Sequence, residues 1–295
     1  MSTPSTKPPM SPLLPTLRTA LHSFTSSNSN LRILRSLPSP TPPPPKTLYI
    51  LDSSFNPPTL AHLRIATSAL LDDTHGAIPK RLLLLLATQN ADKAPKPASF
   101  EHRLAMMTIF ASDLLENLKG QQRQAEEGGG EGGIAVDIAL TTLPHFHAKS
   151  AALASSALYP NPEQVHLIGY DTLTRLLDPK YYPPAHTLAP LTPLFSDHRV
   201  RATYRTDDRW GGRGEQRDYL ERLRRGEMEK IGGEREWAGR IELVEGRKEG
   251  EEAVSSTKVR EAVREGDRGM LGKLVTEGVA DWILKEGLYT DGDEG

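Results

Sequence analysis

Residues 47–66 read TLYILDSSFNPPTLAHLRIA, and this stretch decides the fold. Thr47 to Leu51 is an apolar, β-rich run that fits a buried strand, and Asp52 to Asn56 followed by Pro57-Pro58 ends it sharply. Leu60, Leu63, Ile65, Ala66 and Ala69 then recur at helical spacing. Two prolines offer no backbone donor, so they fit only ahead of the first hydrogen-bonded turn. The pattern predicts strand, tight loop, helix, with Ser53, Ser54, Thr59 and His62 around the loop and the first turn. Small hydroxyl residues, an imidazole and free helix amides suit a ligand rich in phosphate oxygens.

Far downstream, Val254 to Arg260 reads VSSTKVR. Ser255, Ser256 and Thr257 are good N-cap residues ahead of the helical pattern Val259, Ala262, Val263, which predicts a second anion-binding helix start. Both stretches point to one family. SSFNPPTLAH resembles the first signature of the nicotinamide mononucleotide adenylyltransferases, with Ser53 where that family usually has glycine. VSSTKVR is similar to the family's I-S-S-T-x-I-R, and the likeness runs on through EAVREGD to VADWILKEGLY.

The chain has 295 residues, 37% of them apolar, and a formal charge of -2, which allows one large α/β domain or two small ones. Near-neutral charge argues against nucleic acid as the main partner. The absence of cysteine excludes disulfides, thiolate catalysis and Cys-ligated zinc. No apolar run approaches the roughly twenty residues of a membrane span.

Residues 1–46 hold 11 of the 24 prolines and no Asp or Glu. Arg and Ser without acids resemble a mitochondrial transit peptide, but the prolines interrupt any continuous amphipathic helix. The favoured expectation is a disordered tip, one or two short helices within Leu13 to Leu37 packed on the domain, and a polyproline spacer PSPTPPPPK, in a cytoplasmic or nuclear protein. Deleting residues 1–44 should then leave activity nearly unchanged.

RLLLLLA (Arg81 to Ala87) is of strand length and follows a helix, so it reads as the second parallel strand. A polar loop and a helix from about Phe100 come next. QQRQAEEGGGEGG ends that helix and precedes the strand-like IAVDIAL, so it reads as a flexible connection near 120–133 rather than a phosphate loop. His145 and His147 in PHFH lack a nearby carboxylate or third ligand, and no metal site is expected there. Val165 to Gly169 reads as a fourth strand, Leu194 to Arg205 contains a fifth, and Arg240 to Val244 supplies the last. The charge-rich stretch 206–239 reads as an insertion carrying a solvated helix.

Alternating strands and helices without a repeat predict an α/β fold: a parallel sheet of about five or six strands covered on both faces. Ligands in such sheets bind beyond the carboxyl ends of the strands, and His62, Asp171 and Ser255 all follow predicted strands. The resemblance implies a Rossmann-like nucleotidylyltransferase domain over 47–290. It further implies transfer of the adenylyl group of ATP to nicotinamide or nicotinate mononucleotide, with magnesium carried by the ATP.

By the same resemblance, His62 and Thr59 would hold the triphosphate near its α-phosphorus, with Ser53, Ser54 and Phe55 in the loop before them. Ser255, Ser256 and Thr257 would take the β and γ phosphates, and Arg260 the leaving pyrophosphate. Gly169 would allow close approach of the nucleotide and Asp171 would accept from ribose hydroxyls or the carboxamide, although Asp171 also suits a helix cap. Lys93 and Arg205 would face the attacking phosphate, although Lys93 also suits a solvated loop. The family often stacks the nicotinamide ring between tryptophans, whereas here the stretch after IAVDIAL reads TTLPHF and tyrosines, Tyr181 and Tyr182, follow the GYD block instead. Cytidylyl transfer to a phospho-alcohol and a degenerate ATP-binding protein are the alternative readings.

Overall fold

The computed structural model describes residues 13–72, 79–89, 97–125, 133–205, 210–246 and 253–290. A seven-stranded sheet runs through it. The elements in chain order are α1 (Leu13–Thr25), β1 (Leu31–Leu37), β2 (Thr47–Asp52), α2 (Leu60–Leu71), β3 (Lys80–Ala87), α3 (Phe100–Ala125), β4 (Ala135–Thr141), α4 (Phe146–Ser155), β5 (Glu163–Gly169) and α5 (Tyr170–Leu176). They continue with α6 (Thr192–Asp197), β6 (Arg199–Thr203), α7 (Arg213–Arg224), β7 (Ile241–Val244), α8 (Ser256–Arg264), α9 (Arg268–Leu274) and α10 (Glu277–Glu286).

Strand order is β1-β4-β3-β2-β5-β6-β7. The chain builds outward from β2 to β3 and β4, then returns to β2's other side for β5, β6 and β7. The crevice beyond the carboxyl ends of β2 and β5 is therefore the topological switch point, where ligands of open α/β sheets bind. Leu82 to Leu86 in β3 are all fully buried, because successive side chains face opposite, equally covered sides of the sheet. One side packs on α1, α2, α3, α8, α9 and α10 through residues such as Leu51, Leu84, Phe110 and Trp282. The opposite side is covered by α4 over its middle and by α5, α6 and α7 beyond β5.

Two expectations are corrected here. Residues 31–37 are a strand, not a helix, and β1 pairs antiparallel with β4 from Leu31 opposite Thr141 to Leu37 opposite Val136. The sheet is therefore six parallel strands with an antiparallel edge, and α1 buries Leu13, Leu17 and Phe24 in the main core. The folded unit accordingly starts before residue 47. The stretch 206–239 is likewise more than a solvated insertion: Leu220, Leu223, Met228 and Trp237 are buried in the second core, where Trp237 stacks on Phe195 at 4.9 Å.

Candidate active site

Two cavities open at the carboxyl ends of the strands. The first, of about 310 Å³, lies between the start of α2, the ends of β5 and β6, and the start of α8. It brings together Ser53, Thr59, His62, Gly169, Asp171, Arg205, Ser255 and Ser256 from four separate parts of the chain. The second, of about 340 Å³, is bounded by α4, α5 and the turn carrying Tyr181 and Tyr182. Asp52, Ser53 and Thr172 line both, so the two cavities meet at the end of β2.

His62 sits in the first turn of α2 with both ring nitrogens engaged. The Thr59 backbone N–H donates to Nδ1 at 3.0 Å, and the Thr59 hydroxyl lies 2.9 Å from the same nitrogen. A nitrogen that accepts an amide hydrogen carries a lone pair, so the neutral ring holds its proton on Nε2. Nε2–H then donates to the Ser53 hydroxyl at 2.9 Å. Burial, reinforced by the Arg205 charge, pushes the imidazole down to about 4, so it is a neutral hydrogen-bond donor at physiological pH. Phe55 lines neither cavity: it is fully buried, adopts a positive φ of 46°, and supports His62 with its ring at 5.4 Å.

Across the cavity, the Asp171 carboxylate accepts from Arg205 Nε at 2.8 Å and from Arg175 Nη2 at 2.9 Å. Gly169 leaves room for this arrangement, since a Cβ there would stand 2.5 Å from Asp171 Oδ1 and displace the carboxylate. Arg205 lines the first cavity and not the second. Its backbone is clamped by Gln216 of α7, fully buried, which accepts from Arg205 N–H at 3.1 Å and donates back to its carbonyl. Gln216 was not among the sequence candidates, although it shares the buried face of α7 with Leu220 and Leu223 at helical spacing.

The two sequence motifs are joined directly. Ser255 caps α8 by accepting from Lys258 N–H at 3.2 Å. The Ser256 hydroxyl donates to the Pro57 carbonyl at 2.8 Å, and Arg260 Nη1 donates to the Asn56 carbonyl at 2.8 Å. The other Arg260 nitrogen meets the Thr257 hydroxyl at 3.2 Å. Neither Arg260 nor Thr257 lines either of these two cavities, and Arg260 bonds the first loop directly through Asn56.

In the second cavity Lys149 of α4 forms an ion pair with Asp52, and both side chains are buried. Arg103 donates through Nε to the Ser54 carbonyl at 2.7 Å and lies over the Phe100 ring. Phe146, Tyr181 and Tyr182 provide the aromatic surface, with Tyr182 held by a bond from its hydroxyl to the Leu176 carbonyl at 2.7 Å. Asp52, Arg103 and Lys149 were not singled out in the sequence. Lys93 falls outside the described residues. Among the described residues there is no group of three His, Asp or Glu arranged to hold a metal, and no helix is long and apolar enough to cross a membrane.

A parallel sheet with paired cavities at its switch point and two helix starts facing one of them defines a nucleotide-binding α/β protein. Comparison with known structures makes the class specific. Plasmodium falciparum nicotinic acid mononucleotide adenylyltransferase, in its complex with NaAD, superposes with a TM-score of 0.52 at 14% identity over 83% of this chain and 97% of that one. Its complex with APC gives a TM-score of 0.50 at 13% identity over the same shares. The fold is thus that of the Rossmann-like nucleotidylyltransferases. No family model matches the chain. A Schizosaccharomyces pombe protein provisionally named a nicotinamide mononucleotide adenylyltransferase is 33% identical over 271 residues, 89% of this chain and 92% of its own length. The chain belongs to the nicotinamide mononucleotide adenylyltransferase family.

Proposed function

We propose that the protein transfers the adenylyl group of ATP to the phosphate of nicotinamide or nicotinate mononucleotide, releasing pyrophosphate. The observation that carries this reading is the meeting of the two cavities at Asp52, Ser53 and Thr172, directly beside His62. ATP fits the first cavity, with its phosphates against the starts of α2 and α8, where helix amides favour anions. The acceptor fits the second, whose aromatic wall suits a pyridine ring.

The chemistry needs little from the protein beyond placement. An oxygen of the acceptor phosphate, already an anion, forms a bond to the α-phosphorus while the bond from that phosphorus to the bridging oxygen of pyrophosphate breaks. No base has to remove a proton and no covalent enzyme intermediate is needed. Neutral His62 donates from Nε2 toward charge developing at the α-phosphate, exchanging its bond to Ser53 for one to the substrate. The Ser53 hydroxyl borders both cavities and can donate to either phosphate. Asp171, held by Arg205 and Arg175, offers its remaining acceptor sites to nucleotide hydroxyl or amino groups. Magnesium would travel on the triphosphate, whose oxygens supply hard ligands. Incubation of the purified protein with ATP, magnesium and each acceptor should give a dinucleotide and pyrophosphate, identified by mass. ATP hydrolysed to AMP or ADP with no dinucleotide would overturn the reading.

A further inference from the structure

The second cavity contains a charge pair that neither signature motif supplies. Asp52 closes β2, Lys149 projects from α4, and their paired side chains are 9% and 5% exposed. Desolvation offsets most of the attraction within such a pair, so it contributes little as a stabiliser, and one that opens onto a ligand cavity invites a role in recognition. Lys149 Nζ also lies 5.5 Å from the Phe146 ring centroid, which sets the pair against the aromatic wall where a pyridine would lie.

The pair offers a carboxylate acceptor and an ammonium donor side by side. A carboxamide carries the complementary set, an NH₂ donor and a carbonyl acceptor. A carboxylate carries acceptors only, and it would meet Asp52 as a like charge in a partly desolvated site. Two other cations of this cavity are already engaged: Arg175 with Asp171 at 2.9 Å and Arg103 with the Ser54 carbonyl at 2.7 Å.

We propose that the Asp52–Lys149 pair makes the acceptor site selective for a pyridine mononucleotide bearing a neutral carboxamide over one bearing a carboxylate. This rests on the adenylyltransferase reading above. The test is kcat/KM for nicotinamide and for nicotinate mononucleotide, measured on the full-length protein and on Asp52→Asn. The native protein should favour the amide about tenfold or more, and Asp52→Asn, which frees the ammonium for an acidic acceptor, should shrink that preference at least about tenfold. Should Asp52→Asn fail to fold around an unpaired lysine, Asp52→Asn with Lys149→Gln keeps shape and hydrogen bonding without either charge, and its preference should also fall, by less, because the repulsion from Asp52 is removed but no ammonium is freed. Equal use of both acceptors by the native protein, a preference for the acid, or a ratio unmoved in the variants overturns the inference and leaves the adenylyltransferase reading standing. Turnover of neither acceptor by the native protein removes that reading, and the inference with it.

Discussion

The Arg260 guanidinium donates to the backbone carbonyl of Asn56 at 2.8 Å across a sequence separation of 204 residues. The same Asn56 accepts from the buried Tyr289 hydroxyl through Oδ1 at 2.8 Å, so the first loop is held from both sides by the end of the chain. Docking of α8 thus contributes directly to the shape of this loop. A hydrogen bond from a charged group is worth roughly 1.5 to 3 kcal/mol. Arg260→Ala is expected to lower the melting temperature without nucleotide by several degrees and to weaken ATP binding as Ser53 and His62 lose their placement. Calorimetry with and without ATP checks both, and an unchanged melting temperature with unchanged ATP affinity would sink the linkage.

His62→Ala isolates the donor. Its Nδ1 supports the start of α2 through Thr59, a capping role worth about 1 kcal/mol, so only a small loss of stability is expected. Loss of a donor aimed at developing phosphate charge costs roughly 3 to 4 kcal/mol of barrier, or a fall in kcat of about 100- to 1000-fold. Single-turnover rates at saturating ATP would measure it. Turnover within about threefold of the native protein would mean that His62 only shapes the loop.

How much of this could be read beforehand depended on the range of each interaction. The strand, loop and helix from Thr47 onward were legible because prolines, small polar residues and helical spacing are local signals, and VSSTKVR was legible for the same reason. β1 was not: every residue from Leu31 to Leu37 is half-buried, and a register shift between Ile33 and Arg35 breaks the alternation that marks a strand. The Asp52–Lys149 pair joins positions 97 apart, and nothing near Lys149 in FHAKSAALAS distinguishes it from a surface lysine. Gln216 was hidden by its charged neighbours, and the bond from Arg205 to Asp171 joins positions 34 apart.

Truncation separates the two halves of the N-terminal region. Removal of residues 1–12 leaves α1 and β1 whole and should leave solubility and activity intact. Removal of residues 1–44, expected from composition to be harmless, strips Leu13, Leu17 and Phe24 from the core and exposes the edge of β4. Each fully buried apolar side chain of this size contributes about 1.5 to 3 kcal/mol, which together approaches the whole stability of an ordinary domain. The longer truncation is expected to aggregate or to melt far below the native protein. A soluble, active 45–295 fragment of unchanged melting temperature would show that α1 and β1 are dispensable.

The last prediction concerns acid. Burial lowers four histidines in the folded protein, His147 and His198 among them, and two go furthest: His62 down to about 4 with help from Arg205, and His166 down to about 3 with help from His198 and Lys149. His166 lies fully enclosed in β5 with neither ring nitrogen hydrogen-bonded, edge-on to Phe146 at 5.9 Å, so a proton there would find no acceptor. In the unfolded chain both titrate near the ordinary value of about 6.5. The sign follows from the protons bound: between about 6.5 and 4 the unfolded chain binds protons at these sites and the folded chain does not, so stability falls as the pH is lowered through that window. Above about 6.5 both states are neutral and these two groups contribute no slope. Each can contribute up to about 1.4 kcal/mol per pH unit within the window. Denaturant unfolding at pH 7 and at pH 5 should therefore reveal a loss at the lower pH, and His166→Leu, which removes one of the two sites and suits the apolar surroundings, should make that loss smaller. Equal losses in the native protein and in His166→Leu would mean that the buried imidazole is protonated in place or is reached by solvent.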